Sequence, residues 1–158
     1  MLERKRVQGF EIEGARLGFK NFEGKEGQFN KAGERNFVIF LDDELARALH
    51  EDGWNVKFPK PRLEGSVEYD EEDARQPYLP VDASFDKIPP KVILINGSVT
   101  SKLDEETIGM LDWSNITYCD IAIRPSSWEV NGRSGIKAYL KNLYVTIETD
   151  RFMDKYGI

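Results

Sequence analysis

Cysteine is almost missing from this chain. The one thiol, Cys119, has no second cysteine with which to close an intrachain disulfide, and its place between strand-type residues suits a small buried side chain in a reducing cytoplasm. Histidine is equally scarce: His50 has no second His or Cys nearby to complete a metal site, so no metal is expected. Long hydrophobic runs are absent too. Nothing approaches the ~20 apolar residues needed to span a bilayer, and the charged start Met1-Leu2-Glu3-Arg4-Lys5-Arg6 lacks the apolar segment of a secretory signal. The expectation is a soluble protein of the cytoplasm with no membrane partner. No Gly-rich loop ends in Lys-Ser or Lys-Thr before a helix and Cys119 has no adjacent base, which leaves phosphate-loop and thiol chemistry unsupported and no cofactor implied. A positive excess is missing as well: 22 Lys and Arg stand against 28 Asp and Glu, a net charge of −6. A nucleic-acid role would therefore need a locally positive surface.

What is present fits one domain over residues 1–158, long enough to bury a core without staples. Much of the negative charge is gathered in clusters, at Asp42-Asp43-Glu44, at Asp104-Glu105-Glu106 and in a stretch at about 63–76 that reads as a mobile acidic loop. That loop could recruit partners or occupy a positive groove in the absence of a ligand. A short tail at about 149–158 mixes both signs.

Along the chain, 10–22 reads as a first strand with Ala15, Leu17 and Phe19 on one face, and Gly14 and Gly18 marking bends. The long loop 21–35 holds two Phe and three basic residues; it is either a binding loop or a connection whose rings fold back onto the core. Asn36 to Leu41 reads as a strand buried on both sides, and Asp42 then caps a short helix with Leu45, Ala48 and Leu49 at helical spacing and Gly53 as its stop. Trp54, Val56 and Phe58 share a face opposite Asn55 and Lys57. Pro77 and Pro80 place 77–85 at a sheet edge, 91–97 reads as a deeply buried strand, and 104–113 as a second helix.

The chain closes with two alternating runs between Thr117 and Ile147, joined by Asn131-Gly132-Arg133-Ser134-Gly135. In the second run Ile136, Ala138 and Leu140 face one way and Lys137, Tyr139 and Lys141 the other. The second face sets two cations around a ring, which serves the phosphates and bases of an unpaired strand but also describes an ordinary solvent-facing strand. Pro125 and the Leu140–Leu143 segment predict two bulges, so Trp128 has no assignable face. About six long bent strands and two short inserted helices indicate a mainly β fold, best matched by a β-barrel of the oligonucleotide-binding (OB-fold) type, with a β-sandwich as the alternative.

Several stretches, namely 21–27, 33–37, 42–46, 53–56 and the closing run from Arg124 to Leu140, resemble the phage and prophage family of OB-type single-stranded DNA-binding proteins. The resemblance spans Phe10 to about Tyr156 and implies non-enzymatic coating of single-stranded DNA in phage replication or recombination, with phage or host replication and recombination proteins as further partners. Charge and ring chemistry then supply the expected contacts: Lys20, Lys25, Lys31, Arg35, Arg124, Arg133, Lys137 and Lys141 on phosphates, and Phe22, Tyr139 and Trp128 on bases. Two rivals stay open. A metal-dependent nuclease could draw on Asp82, Asp86, Asp120 and Glu129, and a phage structural or interaction module could present its Lys-Tyr face to a protein.

Overall fold

The computed structural model describes residues 8–27, 30–59 and 76–148. All but the last residue of the expected acidic loop, and the whole expected tail, lie outside these. Eight strands form one sheet: β1 (Phe10–Ile12), β2 (Arg16–Asn21), β3 (Asn36–Phe40), β4 (Tyr78–Asp82), β5 (Lys91–Asn96), β6 (Val99–Leu103), β7 (Ile116–Val130) and β8 (Arg133–Ile147). The main path runs β1-β7-β8-β4-β3-β2. It closes on itself because β1 and β2 are one bent strand. Gly14, at φ 64°, turns the chain from its antiparallel pairing with β7 to its pairing with β3, and the Ala15 amide still donates to the Cys119 carbonyl at 2.8 Å. The result is the expected OB-type barrel.

The barrel wall explains the alternation. Phe37, Ile39, Leu79, Val81, Ile136, Ala138, Leu140 and Leu143 are all buried, and so their strand neighbours face outward. β3 is buried on both sides as expected, with Val38 only 7% exposed on its outer face. By contrast β4 is no edge strand: it lies between β3, antiparallel, and β8, parallel. Pro77 precedes the strand, and Pro80 is tolerated because the ladder to β8 begins only at Val81, one residue on, so the missing amide falls where the two strands have diverged. β5 buries Val92 and Leu94, with Ile93 and Ile95 half-buried on its other face, and adds β6 to the far half of β8 as an inserted hairpin.

Helix α1 (Asp43–Asp52) is capped as its sequence predicts. The Asp42 carboxylate accepts from the Leu45 amide at 2.7 Å, and Gly53 ends the helix at φ 104°. Its buried contacts are Ala46 and Leu49, whereas Ala48 is exposed. The second expected helix is a single 3-10 segment, Ile108–Asp112, preceded by a turn in which the Asp104 carboxylate accepts from the Glu106 and Thr107 amides. Those hydrogen bonds, led by the one from the Thr107 hydroxyl, lower the Asp104 pKa. No helix among the described residues is long and apolar enough to cross a membrane.

Candidate nucleic-acid interface

The long hairpin of β7 and β8 sets the site. Its register pairs Arg124 with Tyr139, Ser126 with Lys137, Trp128 with Gly135 and Val130 with Arg133, and directly opposed residues share a face. On the opposite face Ile123, Leu140 and Ala138 point into the core, with Pro125, half-buried, paired to Ala138. Pro125 causes no slip; the register shifts instead at Ala122/Ile123, where Lys141 is the extra residue on β8, and at Ile116/Tyr118. Trp128 therefore has a definite place, on the outward face with Tyr139. Gly135 beneath it is required by contact, since a Cβ there would stand 2.8 Å from the indole ring.

At the centre of this face lies Tyr139. The Arg124 guanidinium sits 4.6 Å from its ring centroid and the Lys137 ammonium 5.2 Å. Both distances are within cation–π range. The Arg124 Nε is buried and finds no hydrogen-bond acceptor among the described residues, so the ring is its main compensation. Lys137 also meets the Asp82 carboxylate at 2.7 Å, and this hydrogen bond is the chief reason its pKa is raised. Asp82 is placed there by register: it pairs with Tyr139 on one side and with Asn36 on the other, and Asn36 pairs in turn with Asn21. A polar row thus crosses the barrel, Asn21, Asn36, Asp82, Tyr139 and Arg124.

Beside this row is a groove of about 440 Å³ lined by Asn30, Arg35, Asn36, Asp82, Phe85, Asp86, Glu105, Lys137 and Tyr139, among others. Arg35 lies 5.9 Å from the Phe85 ring centroid and meets Glu105 at 3.3 Å. With Glu34, Asp82, Asp86 and Glu105 against Arg35 and Lys137, the groove holds more carboxylates than cations. The groove is therefore no positive channel, and the cations of the hairpin's outward face are Arg124, Arg133 and Lys137. No three His, Cys, Asp or Glu among the described residues are grouped as a metal centre.

The expected contacts divide. Arg124, Lys137 and Tyr139 touch; Trp128 and Arg133 share their face; Arg35 reaches the same groove; Lys141 is exposed at the bulge. Lys25 and Lys31 are exposed on the loop that borders the groove, Lys25 paired with Glu23 at 3.4 Å. Two expectations are corrected. Phe22 is fully buried, stacked on Phe37 with centroids 4.9 Å apart, because its amide and that of Glu23 are clamped by the Asp112 carboxylate; it is core and cannot stack on a base. Lys20 is spent on the Leu111 carbonyl at 2.8 Å and the Ser114 carbonyl at 3.5 Å, since a bulge in β2 turns it toward the 3-10 segment. Asn36, which the sequence alone places only at the start of a strand, joins this face through its cross-strand register with Asn21 and Asp82.

The comparisons with known proteins decide the family. The sequence profile of the phage ssDNA-binding domain matches residues 1–158. This chain belongs to the phage ssDNA-binding domain family. The single-stranded DNA-binding protein from bacteriophage Enc34 is similar in structure, with a TM-score of 0.52 at 13% identity over 94% of this chain and 90% of that one. The same phage protein solved in complex with ssDNA gives 0.54 at 12% identity over 94% and 96%. At such identities the likeness shows a shared fold. No curated protein has a sequence that matches this chain. As a member of its family the protein is a single-stranded DNA binder.

Proposed function

We propose that the whole chain, 1–158, acts as one OB-like unit that coats single-stranded DNA exposed during phage replication or recombination, in the cytoplasm of the bacterial host, and catalyses no reaction on it. The reading is carried by one observation: an outward strand face on which Tyr139 lies between Arg124 and Lys137. Both cations already lie against the ring, so a base enters by displacing the Lys137 ammonium or by stacking on the Arg124 guanidinium plane. Released from the ring, Lys137 meets a phosphate. Trp128 and Arg133 extend the track toward the hairpin tip, while Lys141, Arg35, Lys25 and Lys31 supply weaker phosphate contacts at its borders. Because every base has a flat face, little sequence preference follows, and because phosphates release counterions, affinity falls steeply with salt.

Titration of fluorescent oligo-dT at two salt concentrations tests this. Tyr139→Ala raises the dissociation constant about tenfold or more, tenfold being about 1.4 kcal/mol, toward the lower end of the roughly 1–3 kcal/mol that a stacked base contributes. Lys137→Ala flattens the salt slope by somewhat under one unit. Unchanged binding in both variants removes the hairpin face from the site.

A further inference from the structure

The outward face continues past the Tyr139 row. Toward the start of β4 it carries a second row, Arg16, Phe40, Tyr78 and Lys57, aligned by the register of β2 with β3 and β3 with β4 and by the bridge between Lys57 and Tyr78. A cation stands at each end with two rings between them, and the Arg16 guanidinium is 5.0 Å from the Phe40 centroid. Over this row lies Phe19. Its centroid is 5.9 Å from that of Tyr78 and 6.3 Å from that of Phe40, and the residue is 73% exposed.

Phe19 reaches this position at a conformational cost. Simple alternation sends it inward with Leu17, as the sequence alone predicts. Instead β2 holds an extra residue between Gly18 and Asn21, and Phe19 adopts φ +44°, a left-handed conformation that is strained for a bulky side chain. Next to it Gly18 cannot be replaced without movement, since a Cβ would come 2.4 Å from the Phe40 ring. A strained backbone that lifts a large apolar ring out of the core and into water works against folding, and such outliers concentrate at ligand sites.

The geometry points to Phe19, backed by Phe40 and Tyr78, as a second base-stacking platform for the same DNA strand that Tyr139 and Arg124 engage, with Arg16 and Lys57 beside the phosphates. This assignment rests on the binding reading above. Two features select the occupant. The two rows lie on the same outward side of β4: Asp82, the register partner of Tyr139, is four residues from Tyr78, about 13 Å at about 3.3 Å per residue, within the span of one DNA strand. The chemistry is also complementary, because rings flanked by cations match a polyanion carrying planar bases.

The test uses the full chain and an oligo-dT long enough to cross both rows. Phe19→Ala and Phe19→Leu each raise the dissociation constant about fivefold or more, whereas Phe19→Trp stays within about twofold of the parent, because a base needs a flat ring and not merely bulk. The factors for Phe19→Ala and Tyr139→Ala multiply in the double variant, as for sites this far apart. Phe19→Leu retains apolar volume against Phe40 and Tyr78, so the comparison survives if the alanine variant folds poorly. Normal binding by the parent and a loss in Tyr139→Ala, with Phe19→Ala and Phe19→Leu both at parental affinity, overturns the platform and leaves the function standing. So does a Phe19→Ala chain whose sedimentation changes while its affinity does not, since the ring then serves contacts between copies. A parent chain that fails to bind oligo-dT removes the function and the platform together.

Discussion

Replacing Asp82 by Asn should strengthen DNA binding, an outcome opposite to that of most substitutions in a binding site. Asp82 holds Lys137 at 2.7 Å, and its carboxylate sits in register with Tyr139, where a phosphate must approach. Two terms oppose the ligand. Breaking an exposed ion pair costs about 0.2–1 kcal/mol. A carboxylate about 6 Å from a phosphate adds a repulsion of about 0.7 kcal/mol in water and about 2.8 kcal/mol at an effective dielectric constant of 20. The two side chains are 50% and 36% exposed, so the aqueous end of that range applies. Together the terms come to about 1 kcal/mol, or roughly a fivefold gain in affinity at low salt. The gain should shrink toward unity as salt rises, because the screening length falls from about 10 Å at 0.1 M to about 3 Å at 1 M. Fluorescence anisotropy of labelled oligo-dT at 50, 150 and 500 mM salt measures it, with the urea midpoint as a folding control, at a stability loss of at most about 1 kcal/mol. Affinity that drops, or a gain that does not depend on salt, would refute the idea that Asp82 competes with phosphate for Lys137.

Three further outcomes follow from the packing and ionisation. Phe22→Ala should destabilise the fold by about 3–5 kcal/mol, as for a buried phenylalanine, while Phe22→Leu should remain folded and bind oligo-dT with parental affinity; chemical denaturation and titration separate the two effects. Gly135→Ala should push the indole of Trp128 off the β8 backbone, changing its emission spectrum without DNA and weakening quenching by DNA. Alkaline stability should decline in one window. Burial, helped by Asp120, raises the Cys119 pKa to about 11, and the Asp82 hydrogen bond raises that of Lys137. Both folded-state values lie above the unfolded ones, near 8.5 for Cys and 10.4 for Lys, so the native state keeps protons that the unfolded chain has lost, and stability falls as pH rises from about 9 through 11. Native Cys119 should accordingly resist alkylation at pH 8 and react once unfolded, followed by mass spectrometry; rapid native labelling would contradict its burial against the Ala15 carbonyl.

Much of the fold and part of the site were legible along the chain. Alternation in 136–140 separates core from surface correctly, because a two-residue period is local and the core lies on one side of the strand only. Asp42 and Gly53 bound helix α1 for the same reason, since caps act over a single turn. The errors arise where a distant neighbour overrides the local rule. A ring in a polar loop looks available for stacking, yet Asp112, far along the chain, clamps the backbone of Phe22 and turns it inward. Lys20 and Phe19 exchanged faces through one inserted residue in β2, which alternation cannot foresee. Pro77 and Pro80 suggested an edge, yet β4 is central because its partner strand arrives after them.

By itself, then, the order of residues determined the mainly β class, the caps of helix α1, the absence of staples, and the cation-ring-cation triplet of 137–141, all consequences of short-range sterics and side-chain chemistry; it indicated about six strands where the sheet has eight. Register decided the rest. Which strands lie side by side governs whether Asn36, Asp82, Tyr139 and Arg124 form a row, and whether Arg16, Phe40, Tyr78 and Lys57 form another. A closed barrel sets that alignment through its buried side chains, and no local stretch of chain carries the information.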